Sequence, residues 1–402
     1  MKVLLVNKFF FLRGGPEVVM FGLMEALRDA GIEVRVFAMS HPDNIIVETG
    51  DNDFFPSRVD FTGSFADKAK ALRRVFGHGD VVSCFKRMLA DYKPDVVHLH
   101  NIHSQLSPVI GELAHKAGIR VVWTLHDLKL LCPAYVARRP DGRVCDECIA
   151  GKLHVLQHRC MKGSFLQSLI ANMEARKWSR SRLSCNTDAF IAPSAFMGEM
   201  MRRGGFPEDK LHVLTNFVDP SKLQELNRLA NHTPAVGDFF LYAGRLSSEK
   251  GVVTLIRAAK ASGVKLKIAG DGPACRELKA LAANSPNIEF LGMLTPERLV
   301  PLQLGARASV LPSECYENNP LSLIESLCAG TPVVGANIGG IPELITPGVN
   351  GQIFESGNVE ALAGILRCFR DSEYDRASIS REAMHRYSRG VHMQQLLKIY
   401  KP

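Results

Sequence analysis

The 402-residue chain has no apolar run approaching the ~20 residues that a membrane-crossing helix needs. Its opening, MKVLLVNKFF, is too short in its apolar stretch for a secretory leader and has no cleavage site, so it reads as a strand. The expected location is therefore the cytoplasm, where ten cysteines are free thiols or metal ligands sooner than a disulfide framework. Zinc-finger spacing, aromatic RNA-binding motifs and helix-turn-helix patterning are all missing, so nucleic acid is not an expected partner. Also missing is a Gly-x-Gly-x-x-Gly fingerprint. The first strand runs instead through NKFFFLRGGPEVV (7–19) into a helix by way of Gly14-Gly15, which counts against a dehydrogenase. The acidic triplet at 51–53 follows no apolar strand and reads as loop.

Apolar residues make up 46% and charged ones 22%, as in ordinary globular proteins, and the length suffices for two domains with separate cores. The net charge of +8 is uneven. Eleven Lys/Arg face four Asp/Glu between Lys129 and Arg182, and eight face four between Arg58 and Lys93. That field suits anionic lipid or phosphorylated substrates. Short, doubly apolar strands at 2–7, 33–38, 95–100, 120–125 and 188–193 alternate with helical segments. The pattern repeats at 238–244, 264–270, 288–292, 308–312 and 331–336. This predicts an α/β protein with two doubly wound, Rossmann-like domains facing across a cleft, joined by a polar linker near 216–237. Function then belongs in the loops after the strands' carboxyl ends.

Three such loops carry chemistry. GRLSSEKG (244–251) sets Arg245 and Lys250 in a Gly244-flanked loop, where two cations can hold a diphosphate. GDGP (270–273), with Gly270 and Asp271, is a tight turn that admits a ligand close to the backbone. ECYENNPLSLIESLCAG (314–330) begins a helix, with Asn319 as the expected N-cap, Pro320 in the first helical position and Gly330 as its stop. Its amino end offers unpaired N–H groups to an anion. Glu317 precedes the helix and Glu325 lies inside it. Alone, Glu325 reads as a solvated residue. A nucleoside diphosphate sugar laid across this helix start, however, would present hydroxyls to one acid on either side.

With AGTPVVGANIGGIPELI (329–345), GVNGQIF (348–354), PSAFM (193–197) and NFVD (216–219), these motifs resemble the family four retaining glycosyltransferases of the GT-B fold, over nearly the whole chain. Phe217 stands where that family usually has Gly. The resemblance implies that Glu317 contacts the donor hexose, Glu325 the ribose, and Arg245 with Lys250 the diphosphate. The amides of Asn318, Asn319, Pro320's successor Leu321 and their neighbours would complete the phosphate site. Gly14 and Gly15 would approach the donor, His126 in TLHD would touch its sugar, and Ser194 and Asn216 are weaker correspondences. Residues 1–215 would bind the acceptor and 216–383 the donor, with a helix near 384–402 packing back on the first domain.

The implied activity is transfer of a hexose, with retention and no metal requirement, to a glycan or lipid-linked acceptor of bacterial surface polysaccharide synthesis. An epimerase on the same fold and a silent sugar-nucleotide-binding partner are the alternatives. His98 and His100 read as a wall of the site, not a metal cluster. Cys132, Cys145, Cys148 and Cys160 fall in an insertion near 128–165 whose composition fits a structural zinc site, with free thiols or a disulfide also open. Finally, 63–77 predicts a helix with Phe65, Ala69, Leu72, Val75 and Phe76 on one side and Lys68, Lys70, Arg73 and Arg74 around the other. Together with Phe9, Phe10 and Phe11 it suggests an anionic membrane surface on the inner face of the cell membrane as a partner.

Overall fold

Strands buried on both faces cannot alternate apolar with polar, and these do not: β1 (Lys2–Val6), β3 (Val96–Leu99), β5 (Ala189–Ala192), β10 (Ala308–Leu311) and β11 (Val333–Ala336) are almost wholly buried. The computed structural model describes residues 1–47, 49–218, 220–229 and 235–401. It divides into a first unit, Met1–Thr215 with Met393–Pro402, and a second, Asn216–His392.

In the first unit β2 (Glu33–Phe37), β4 (Arg120–Thr124) and β6 (Leu211–Val213) complete a parallel sheet ordered β2-β1-β3-β4-β5-β6. The second unit adds β7 (Phe239–Ala243), β8 (Lys265–Ala269), β9 (Ile288–Gly292) and β12 (Gly351–Phe354) in the order β12-β11-β10-β7-β8-β9, again parallel. The strand order reverses between β1 and β3, and between β10 and β7. Loops from such neighbouring strands diverge at their carboxyl ends and leave room for a ligand.

Four expectations need correction. The stretch 216–237 is not simply linker: Pro220–Leu229 is a helix whose Leu223, Leu226 and Leu229 fall at helical spacing on the second core. Asp219 and residues 230–234 lie outside the described residues. Residues 384–392 stay with the second unit, and the final helix, Arg389–Tyr400, re-enters the first unit at Met393. There the Tyr400 hydroxyl meets His98 Nδ1 at 2.7 Å, and Arg120 Nε donates to Ile399 O at 3.0 Å. In the helix Phe65–Val75 the core-facing side is Ala71, Arg74 and Val75, so Phe65 (88% exposed) and Leu72 (39%) face water. Arg74 is no surface cation: it is 1% exposed and bonds Asp80 and the carbonyls of Ser57 and Gln105. Phe9 and Phe10 are likewise buried, because the segment after β1 folds inward.

Candidate active site

In the second unit the loops after β7, β8 and β10 are locked to one another through their backbones. Leu246 N donates to Asp271 O, and Glu314 N to Glu249 O, both at 2.9 Å. Gly251 has φ +66°, and a Cβ there would lie 1.8 Å from Pro312 O, so only glycine lets the β7 loop lie against the end of β10. Gly270 N donates to Gly292 O at 2.7 Å, and exposed Asp271 folds its carboxylate onto the next amide.

Lys250 closes the short turn Ser248–Lys250, and its Nζ lies 2.6 Å from Glu317 Oε1. Ser313 Oγ donates to the same oxygen at 2.5 Å. Burial works against the Lys250 ammonium, but the Glu317 carboxylate, helped by Cys315 and Glu249, carries its pKa above the ordinary lysine value. The backbone of Glu317 is itself clamped: its carbonyl accepts from Gly340 N at 2.7 Å, and a Cβ on Gly339 would lie 2.4 Å from it. Gly244 and Arg245 are exposed. The Arg245 carbonyl is pinned by the buried Tyr242 hydroxyl at 2.8 Å, and its guanidinium makes no ion pair among the described residues.

The helix after Glu317 begins one residue later than expected. It spans Leu321–Cys328 with Pro320 as its N-cap. Asn319 does not cap it because its side chain is engaged elsewhere: Asn216 N donates to Asn319 Oδ1, and Asn216 Nδ2 to Asn319 O, both at 2.9 Å. Asn318, Pro320 and Leu321 are half-buried. The N–H groups of Leu321 and Ser322, as the first of the helix, have no intrahelical acceptor and present the positive end of its dipole. Glu325 is not solvated. It is buried, and its Oε2 lies 2.5 Å from Lys222 Nζ in the helix Pro220–Leu229.

In the first unit Gly14 and Gly15 are exposed at the start of the helix Gly15–Asp29, and nothing lies within 4 Å of where a Gly15 Cβ would be. His126 ends a column of stacked imidazoles. His98 and His100 stack at 4.5 Å, His100 and His126 at 5.2 Å, and His100 Nδ1 meets His126 Nε2 at 2.9 Å. Burial drives His126 down to about 3, with Lys8 adding to the effect, so this ring is neutral at physiological pH. Ser194 is fully buried and caps the helix Ala195–Arg203 by accepting from Met197 N at 3.1 Å.

The four cysteines of the insertion are free, and among the described residues no three of their sulfurs converge as a ligand set. The neighbouring Cys148 lowers Cys132 to about 6, while Cys148 itself is raised by Cys132 and by burial.

Three site residues escaped the sequence reading. Lys222 and Ser313 have no motif of their own; each matters only because folding sets it on an acid. Lys8 lies two residues past the end of β1, and burial lowers its pKa while Asp127 opposes that. A lysine just past a strand end was the available signal.

Two parallel doubly wound sheets with cations and acids gathered at a topological switch point define the GT-B class of sugar-transferring proteins. The chain belongs to glycosyltransferase family 4: residues 13–222 match "Glycosyltransferase Family 4", and 225–389 match "Glycosyl transferases group 1". It is 28% identical over 400 residues to the glycogen synthase of Mycobacterium tuberculosis, covering 92% of this chain and 86% of that one. It is also 28% identical over 216 residues to the amylovoran biosynthesis glycosyltransferase AmsK of Erwinia amylovora, covering 50% of this chain and 52% of that one. The crystal structure of Anabaena Alr3699/HepE in complex with UDP and glucose superposes with a TM-score of 0.66 at 20% identity, over 99% of this chain and 98% of that one, which shows a shared fold.

Proposed function

We propose that this enzyme moves a hexose from a nucleoside diphosphate sugar to an acceptor hydroxyl with retention of configuration, and needs no metal to do so. The observation that carries the reading is the Lys250–Glu317 pair at the β7/β10 switch point, beside a helix amino end and the exposed Arg245. As the glycosidic bond breaks, negative charge grows on the departing diphosphate. Arg245, the Lys250 ammonium and the Leu321 and Ser322 amides are the groups to meet it, and their positions are fixed before the reaction starts. Glu317 and Glu325 accept hydrogen bonds from the hexose and ribose hydroxyls respectively. The acceptor attacks from the face the diphosphate leaves, and the diphosphate takes its proton. Neutral His126 serves as a hydrogen-bonding group, not as an acid.

The acceptor in this proposal is a lipid-linked glycan of surface polysaccharide synthesis, in keeping with the amylovoran relative. Among the described residues no helix is long and apolar enough to cross a membrane. Exposed Phe61, Phe65 and Leu72 lie beside Lys68, Lys70 and Arg73, a combination that suits the cytoplasmic leaflet. The test incubates purified protein with a panel of nucleotide sugars, with and without a lipid-linked acceptor, and follows sugar transfer and product anomer. Retained-configuration product formed without added metal supports the reading. Turnover of donor to an epimer with no acceptor present, or donor binding with no turnover of any kind, overturns it.

A further inference from the structure

We propose that Glu147, His154 and His158 form a structural Zn²⁺ site that staples the cysteine-rich insertion. Among the described residues, this is the one set of three metal-ligating side chains whose donor atoms all lie within 4.8 Å of one another. His158 Nε2 lies 2.7 Å and His154 Nδ1 3.6 Å from a single oxygen, Glu147 Oε2. Ligands at ~2.0–2.2 Å around a tetrahedral zinc are roughly 3.3 Å apart. Shifts of well under an ångström for the two Glu147 contacts therefore convert the arrangement into a coordination shell.

The surroundings fit as well. His154 opens the single helical turn His154–Gln157 and His158 closes it, four residues on, so the two rings share a face and lie 14° from parallel. The other oxygen of Glu147, Oε1, is held by Arg139, which leaves Oε2 as a single directed donor. A fixed outer partner of this kind is what orients a carboxylate ligand. Both histidines are half-buried, so an ion has a path in and a water can fill the fourth position. Metal binding requires each ring to carry its proton on the nitrogen away from the ion.

The insertion also needs a staple. Its own core is small: Ala134, Cys148 and Val155 with Cys132, Leu156, Cys160 and Met161 packed against them, while Leu128, Leu131 and Ala137 are buried besides. Tyr135, Ala137, Arg159 and Lys162 all have positive φ, between 45° and 60°. A segment with so small a core of its own and several residues at positive φ is the kind that metals commonly hold together.

The experiment uses the full chain, purified without a histidine tag, stripped with chelator, then dialysed against Zn²⁺ or Co²⁺. About one Zn²⁺ per chain is expected, together with a Co²⁺ spectrum lacking sulfur-to-metal charge transfer, because the donors are nitrogen and oxygen. His158→Gln and Glu147→Gln should abolish binding, Arg139→Gln should weaken it about 10–100-fold, and Cys132→Ser should leave it intact. Strong sulfur charge transfer in the wild-type chain, or binding lost in Cys145→Ser but kept in His158→Gln, overturns the assignment. So does the absence of binding to the wild-type chain. The cobalt spectrum needs no variant, so a substitution that fails to fold leaves the test decisive.

Discussion

Lys222 pairs with Glu325 at 2.5 Å, and the carboxylate in that pair is only 3% exposed. A residue from the helix Pro220–Leu229 thus meets an acid in the helix whose amino end is the proposed phosphate site. Replacing the lysine takes a close cationic partner from a buried carboxylate. Lys222→Met is expected to lower stability by about 3–5 kcal/mol in denaturant unfolding. Lys222→Met combined with Glu325→Gln should recover most of that loss. Nucleotide binding measured by calorimetry should stay weak in the double variant, because the proposed ribose partner is gone. Restored binding there would remove Glu325 from the donor site.

The Lys250–Glu317 pair should matter to turnover more than to folding. Lys250→Ala and Arg245→Ala are each expected to lower kcat by about 10²–10³-fold, with a smaller change in donor KM. Steady-state kinetics with saturating acceptor checks this. A pure KM effect would make the two cations binding groups without a role in the departure of the diphosphate.

Gly251 should tolerate no side chain. Gly251→Ala places a Cβ against Pro312 O at a positive φ, and is expected to cost about 1–3 kcal/mol and to lower activity by displacing Lys250. Gly15→Ala meets open space and should leave the melting temperature unchanged. Equal effects in a thermal melt would mean that the loop locking is not what holds the site.

Acid should weaken the first unit through its histidines. His126 titrates near 6.5 when unfolded and near 3 when folded, and His100 and His103 shift in the same direction, each chiefly through burial. Between those values the unfolded chain binds protons that the folded chain does not, so stability falls as pH falls through that window. The melting temperature should drop between neutral pH and about pH 5, and should drop less in His126→Gln. An identical drop in the variant would assign the effect to other groups.

Binding to anionic vesicles should depend on the exposed side of the helix Phe65–Val75. Lys68, Lys70 and Arg73 replaced together by Ser should weaken binding by about 3 kcal/mol, roughly 100-fold in co-sedimentation. Arg74→Ser should act differently, destabilising the fold through the loss of its buried bonds. Binding that ignores both lipid charge and the triple substitution would leave a soluble acceptor.

Most strands were legible because parallel strands buried on both faces leave continuous apolar runs, as VLLV and VVHL do. The edge strands β6 and β12 were not: LHV and GQIF are short, half-exposed and mixed in polarity, and only pairing with β5 and β11 makes them strands. Loop geometry was legible where the backbone dictates residue type, as at Gly251, whereas the helix after Glu317 starts one residue later than its Asn-Pro pair implies. What Asn319 bonds, which acid Lys222 meets and which face of helix 65–75 is covered all depend on contacts between distant segments. No local pattern carries that information.

The return of the chain at Met393 sets the order in which the molecule can be finished. The first unit's sheet places His98 on β3, yet the phenol that occupies His98 Nδ1 belongs to Tyr400, 302 residues later. A chain still emerging from the ribosome has its amino-terminal sheet strands in hand while the last helix is unmade. The first unit is therefore completed only after the second has been synthesised, contrary to the usual domain-by-domain order. A chain cut before that helix loses the phenol on His98 Nδ1 and the carbonyl that Arg120 meets, so it differs in its core as well as in its length.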